Sequence, residues 1–205
     1  GIPVDKAFSI KPSEIGAEQF CDIFNIGLIS EEGITLQKIL AQAREKFGTD
    51  FNIDDIITLI IKNKEVSGKT KKILENRFSS IKEWGIFSKE ATEIDEMLKG
   101  GTTNILDLSA YSEIEGGNII KALVIGILCK KILQKRLLAR KEEEVELISE
   151  GTYITGETTA ITEKKAPLVW IMIDEAHEFI PKKGETLATS ALVQLLREGR
   201  QPGIS

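Results

Sequence analysis

Cysteine, histidine and long apolar runs are the scarce features of this sequence. Its 205 residues include two Cys, one His, two Trp, two Tyr and five Pro. Two thiols, Cys21 and Cys129, cannot build a disulfide framework or a Cys-rich zinc site. Both fall inside apolar helical patterns, which predicts buried thiols in a reducing compartment. The single His177 excludes any centre that needs two imidazoles, including the zinc-protease helix that His177-Glu178 would otherwise begin. No apolar run nears the ~18 residues that span a bilayer, and no signal peptide opens the chain, so a cytoplasmic location without a membrane partner is expected. Excess positive charge is lacking too. A net charge of −5 and a pI of about 5.2 exclude a simple basic nucleic-acid wrapper, so any contact with DNA has to be local.

What is present is the composition of a globular chain: 41% hydrophobic and 29% charged residues, which excludes disorder and low complexity. The richness in Ile, Lys and Glu fits a thermophile. Residues 5–11 read as a short strand or extended arm, and Ser13 as the cap of a helix running to about Asn25. Leu36, Ile39, Leu40, Ala43 and Phe47 have helical spacing, with Gly48 as the stop. Asn52 caps a helix with Ile53, Ile56, Ile57, Ile60 and Ile61 on one face, and a further helix covers 69–84. A short helix around 89–98 ends at Gly100-Gly101, so residues 30–101 read as an inserted helical subdomain.

The character then changes. Residues 104–108 read as a buried strand, and 117–148 as a long helix with an apolar first half and a charged, solvated second half. Residues 150–165 are polar, Thr- and Gly-rich, and read as a long loop. The run 168–173, opened by Pro167, has no alternation and reads as a strand buried on both faces, as in a parallel α/β sheet. A last helix covers 186–198.

The run 168–173 ends in Asp174-Glu175, the Walker B pattern of nucleoside triphosphatases. A buried strand delivers its last side chains to the carboxyl edge of a sheet, where ligands bind. There Asp174 could hold Mg²⁺ through water and Glu175 could orient the water that attacks the γ-phosphate of ATP. The bland alternative is an apolar strand ending in a solvated acidic turn. Beyond the acids come Ala176-His177-Glu178-Phe179-Ile180-Pro181 and, after a helix, Arg197-Glu198-Gly199-Arg200-Gln201-Pro202-Gly203-Ile204. These two blocks, 168–181 and 192–204, closely resemble the HerA-type ATPases of the HerA/FtsK superfamily, archaeal and bacterial hexameric DNA translocases. The upstream match is looser but in order.

The resemblance implies an α/β fold: part of a RecA-like P-loop core, a parallel sheet flanked by helices, made of residues 1–29 and 102–205, with 30–101 inserted. It implies an ATP-hydrolysing DNA translocase or helicase acting in DNA-end processing and repair. ATP and Mg²⁺ are its cofactors, and its partners are DNA, identical subunits in a hexamer and a NurA-type nuclease. It places Asp174 as the Mg²⁺-linked acid, Glu175 as the catalytic glutamate and Arg200 as an arginine finger acting on a neighbouring subunit's ATP. Arg197 is the runner-up for the finger, or a helix-end cation favoured by the dipole. Lys182 and Lys183 would face DNA in the pore, or lie in an exposed turn.

One motor part has no convincing counterpart. Ser67-Gly68-Lys69-Thr70 ends like a Walker A loop, but Asn63 stands where its first Gly belongs and the preceding segment reads as a helix. A helix–helix turn is the simpler account, and the family's Walker A loop would then lie upstream of Gly1, in keeping with a start that lacks Met. Conjugative and DNA-packaging ATPases of the same superfamily share the pattern. A DEAH-box helicase is a further alternative, since Asp174-Glu175-Ala176-His177 spells that motif, although Ala188-Thr189-Ser190 falls in a predicted helix. A helical interaction domain without catalysis is the last.

Overall fold

A computed structural model describes residues 4–114, 116–149 and 166–205. The chain divides into two compact units, Gly1–Thr92 and Glu93–Ser205. The first is helical. A 3-10 turn at Pro12–Glu14 leads to α1 (Ala17–Phe24), α2 (Glu31–Phe47), α3 (Ile53–Lys62) and α4 (Gly68–Lys82).

Capping chemistry sets these boundaries. The Ser30 hydroxyl accepts from the Gly33 amide at the start of α2, and Gly48, at φ 63°, ends it in a conformation that costs glycine least. Asn52 and Asp55 form a reciprocal capping box at α3, each side chain accepting from the other's backbone amide at 2.9 Å. Ser13 does not cap α1. It belongs to the 3-10 turn and donates to the Thr49 carbonyl, while Gly16 stands at the cap. The core joins Phe20, Phe24 and Phe78, with ring centroids 5.0–6.0 Å apart, to Leu36, Ile39, Leu40, Ile56, Ile60 and Leu74. Arg77 fixes the end of α1 by donating to the Phe24 carbonyl.

The second unit is built on α6 (Gly117–Ser149), a helix roughly 50 Å long at 1.5 Å per residue. A single turn, α5 (Ile94–Met97), precedes it, and α7 (Thr189–Glu198) packs against it. The approach is close at Gly126, where a Cβ would meet the Leu187 carbonyl oxygen at 2.7 Å. Ile125, Leu128, Cys129, Ile132 and Leu133 of α6 share one core with Val169, Phe179, Leu192, Leu195 and Ile204.

The expected RecA-like parallel sheet is not present. The described residues are 57% helical, with 2% strand and no sheet. The physical reason lies in the two runs read as buried strands. Residues 168–173 have one covered face only: Val169 is 8% exposed, but Leu168, Trp170 and Met172 are 56%, 78% and 86% exposed. Residues 104–108 likewise turn Leu106 and Leu108 to the core and leave Ile105 89% exposed. Continuous apolarity therefore does not signal two buried faces here. Strand pairing in this unit is a single parallel bridge, Val169 to Ile204, among the described residues. The expected short helix at 89–98 shrinks to one turn, and the polar stretch 150–165 lies outside the described residues.

The second half of α6 is less solvated than its charges suggest. Arg136 is 2% exposed. Its Nε donates to the Pro202 carbonyl and its Nη1 to the Ala166 carbonyl, both at 2.7 Å, and Glu143 lies 3.9 Å from Nη1. One guanidinium thus holds the starts of both extended segments against the helix.

Two predictions follow from this packing. Arg136→Met keeps the bulk but leaves two carbonyls without their donor, at about 1–3 kcal/mol each. A Tm fall of about 5–15 °C is expected for a chain of this size, and an unchanged Tm would show that the two bonds do not hold the unit. The second concerns Cys129, whose thiol burial pushes from 9.0 up to about 11. Below pH 9 the folded and unfolded thiols are both protonated and stability is undiminished. Between pH 9 and about 11 only the unfolded chain gains a thiolate, so stability falls, by about 3 kcal/mol in all once pH passes both values. Denaturant titrations should show Cys129→Ala lacking this part of the alkaline slope.

Candidate functional site

The acidic pair sits in a turn that is anchored on three sides. Leaving the extended run, the chain passes Asp174 and Glu175 into a 3-10 turn, Ala176–Glu178. Phe179 plugs the turn into the core at 6% exposure. Its carbonyl accepts from the hydroxyls of Thr186 at 2.7 Å and Thr189 at 2.9 Å, which tie the turn to the start of α7. Lys121 of α6 pairs with Glu178 at 3.4 Å. Neither threonine nor Lys121 belongs to a motif. Their only sequence signal is that Thr186 and Thr189 flank the start of a helix, where hydroxyls serve backbone groups.

Within this frame Glu175 adopts the left-handed conformation, φ 51° and ψ 38°. Its amide donates to Asp174 Oδ1 at 2.9 Å, and its carboxylate lies 3.1 Å from His177 Nδ1. A non-glycine residue there carries about 1–2 kcal/mol of backbone cost, and such residues cluster at functional sites. Both carboxylates are exposed to solvent.

Magnesium prefers oxygen ligands, keeps several waters and takes one or two carboxylates together with substrate phosphates. Two adjacent, accessible acids at a chain turn fit that requirement. A cage made wholly of protein does not exist: among the described residues no group of three or more His, Cys, Asp or Glu could hold a metal.

Arg200 lies on the other side. The pairing runs from the Val169 amide to the Gly203 carbonyl (3.1 Å), from the Ile171 amide to the Ser205 carbonyl (2.7 Å) and from the Ser205 amide to the Val169 carbonyl (3.0 Å). The segments are parallel. Asp174 follows Val169 by five residues, about 16 Å of extended chain, and Glu175 by six, whereas Arg200 precedes Ile204 across a tight turn. The acids and Arg200 are therefore at opposite ends of the pair. Arg197 and Arg200 line one open depression with Leu137, Glu198 and Gln201. Lys182 and Lys183 are exposed in the loop between the acidic turn and α7.

The Walker A look-alike is the cap of α4. Ser67 Oγ accepts from the Thr70 amide, and buried Thr70 donates its hydroxyl to Glu31 Oε1 at 2.8 Å. The preceding element is α3, a helix, so residues 67–70 are the cap and first turn of α4 after a helix–helix turn at 63–67.

No protein-family model, curated protein or solved structure matches the chain. No helix among the described residues is long and apolar enough to cross a membrane.

The backbone cost at Glu175 is directly measurable, because its side chain is too exposed for packing to intervene. Glu175→Gly is expected to hold or raise stability by up to about 1 kcal/mol, and Glu175→Val to lower it by about 1 kcal/mol. Equal denaturation midpoints for the two variants would contradict a left-handed Glu175.

Proposed function

We propose that this chain supplies the acidic pair and the arginine segment of an ATP-hydrolysing DNA translocase of HerA type. The observation that carries the proposal is the left-handed, threonine-anchored turn presenting Asp174 and Glu175 side by side. A merely solvated turn has no need of a conformation unfavourable to glutamate.

On this proposal Asp174 would hold Mg²⁺, which would supply positive charge to offset that of the ATP phosphates. Glu175 orients the attacking water and receives its proton. His177, within hydrogen-bonding distance, positions the Glu175 carboxylate. Arg200 serves charge on the transferring phosphoryl group of a neighbouring subunit. Its distance from the acids of its own chain supports action in trans, since one fixed parallel pair cannot bring its two ends together. The partners are DNA, further copies of the chain in a ring and a NurA-type nuclease, and the setting is DNA-end processing.

The test is DNA-stimulated ATP hydrolysis by the assembled motor. Glu175→Gln should reduce it at least ~100-fold, the usual range for loss of a general base. Arg200→Ala should do the same alone, yet mixed with Glu175→Gln subunits it should recover part of the rate, because some interfaces regain both groups. Full activity of the Glu175→Gln protein, or no recovery on mixing, would count against the respective roles.

A further inference from the structure

The residues that imitate a phosphate loop sit in a strongly basic tip. Residues 62–72, the end of α3, the turn and the first turn of α4, contain Lys62, Lys64, Lys69, Lys71 and Lys72 against one acid, Glu65. Such density is unusual in a chain of net charge −5. Two features show that the fold concentrates these charges. Lys71 Nζ reaches across to the Ile61 carbonyl at 3.4 Å, which brings it beside Lys62. Lys69 and Lys72 are three apart on α4 and share a face, roughly 5–6 Å between Cβ atoms.

Neutralisation within the protein is partial. Lys72 pairs with Glu75 at 3.2 Å, and the Glu31 carboxylate is held at the base of the tip by Thr70. Lys62, Lys64 and Lys69 are exposed and make no ion pair among the described residues. Like charges kept together around an exposed helix–helix turn repel one another, and a multivalent anion relieves that repulsion.

We infer that the α3–α4 tip is a nucleic-acid contact surface that binds the phosphodiester backbone through Lys62, Lys64 and Lys69, with Lys71 and Lys72 flanking. Ammonium groups act as point charges and read no base edge, so binding there is independent of sequence. A polynucleotide suits the tip better than a single phosphate, because five lysines over the end of α3, the turn and the first turn of α4 supply more positive charge than one phosphate can neutralise. It suits the tip better than a bilayer, because Ile61 is the one large apolar side chain exposed beside these lysines and Val66 is half-buried, which is too little apolar surface to insert. The tip belongs to the first unit, whereas the acidic turn, Lys182 and Lys183 belong to the second, so variants of the tip leave every residue of the ATPase experiments unchanged.

The experiment is fluorescence anisotropy of the 205-residue chain with a labelled 20-base-pair duplex and with its single strand, at several salt concentrations from 50 to 200 mM. The wild type should bind both, with no preference when the sequence is scrambled. The triple variant Lys62→Ala/Lys64→Ala/Lys69→Ala should bind at least 10-fold more weakly at 50 mM, with the slope of log K against log salt smaller by about 2–3. The triple arginine variant should retain binding. Circular dichroism confirms that each variant is folded. Wild-type binding unchanged in the alanine variant, or no binding by the wild type at 50 mM, would overturn the assignment. So would lysine-dependent capture by phosphatidylserine vesicles without any DNA binding.

Discussion

The second unit depends on a buried guanidinium. Arg136 satisfies the carbonyls of Ala166 and Pro202 at the same time, one before each extended segment. That pair of hydrogen bonds pins the start of both segments against α6, on the approach to the bridge where Val169 meets Ile204. Taking a charged side chain to 2% exposure is costly unless its donors are used, so the arrangement is tolerated only while both carbonyls are in place. Arginine suits the position because its planar fork can serve two acceptors in different directions, which lysine's single ammonium does with less geometric control.

The acidic turn follows from that anchorage. With the run 168–173 started at a fixed point and Phe179 buried after it, the residues between have little freedom. Asp174 accepts the Glu175 amide, Glu175 turns left-handed, and Thr186 and Thr189 close the far side. A conformation costing about 1 kcal/mol persists because several favourable contacts over-determine it. The left-handed glutamate is thus a consequence of tertiary anchoring, and the local sequence alone would not produce it.

The helices were legible in the sequence where caps and periodicity agreed. Asn52 with Asp55 and the stop at Gly48 mark α2 and α3 by chemistry that works within a few residues, and Cys21 and Cys129 are buried as their apolar settings predict. The absence of a sheet was not legible, because a run of apolar residues carries no information about how many faces are covered. Leu168, Trp170 and Met172 satisfy the pattern of a doubly buried strand while remaining largely exposed. Arg136 was hidden for the opposite reason. It lies among Lys130, Lys135, Arg140 and Glu143, where charge density suggests solvent, and only the long-range carbonyls reveal its role. The acids and Arg200 could be picked out as chemistry from their blocks, but their separation could not, since it depends on strand direction.

That separation constrains any catalytic role for the pair. Parallel segments place the residues after one strand and those before the other at opposite ends, whatever the side chains do. An arginine fixed before Ile204 therefore cannot stabilise charge at the acids beyond Ile173 of the same chain, and a site needing both has to draw them from two copies. The two ends are nevertheless coupled, because the same three backbone hydrogen bonds and the same Arg136 set the position of each. A displacement of the acidic turn along the strand axis would have to break those bonds or carry the Arg200 turn with it.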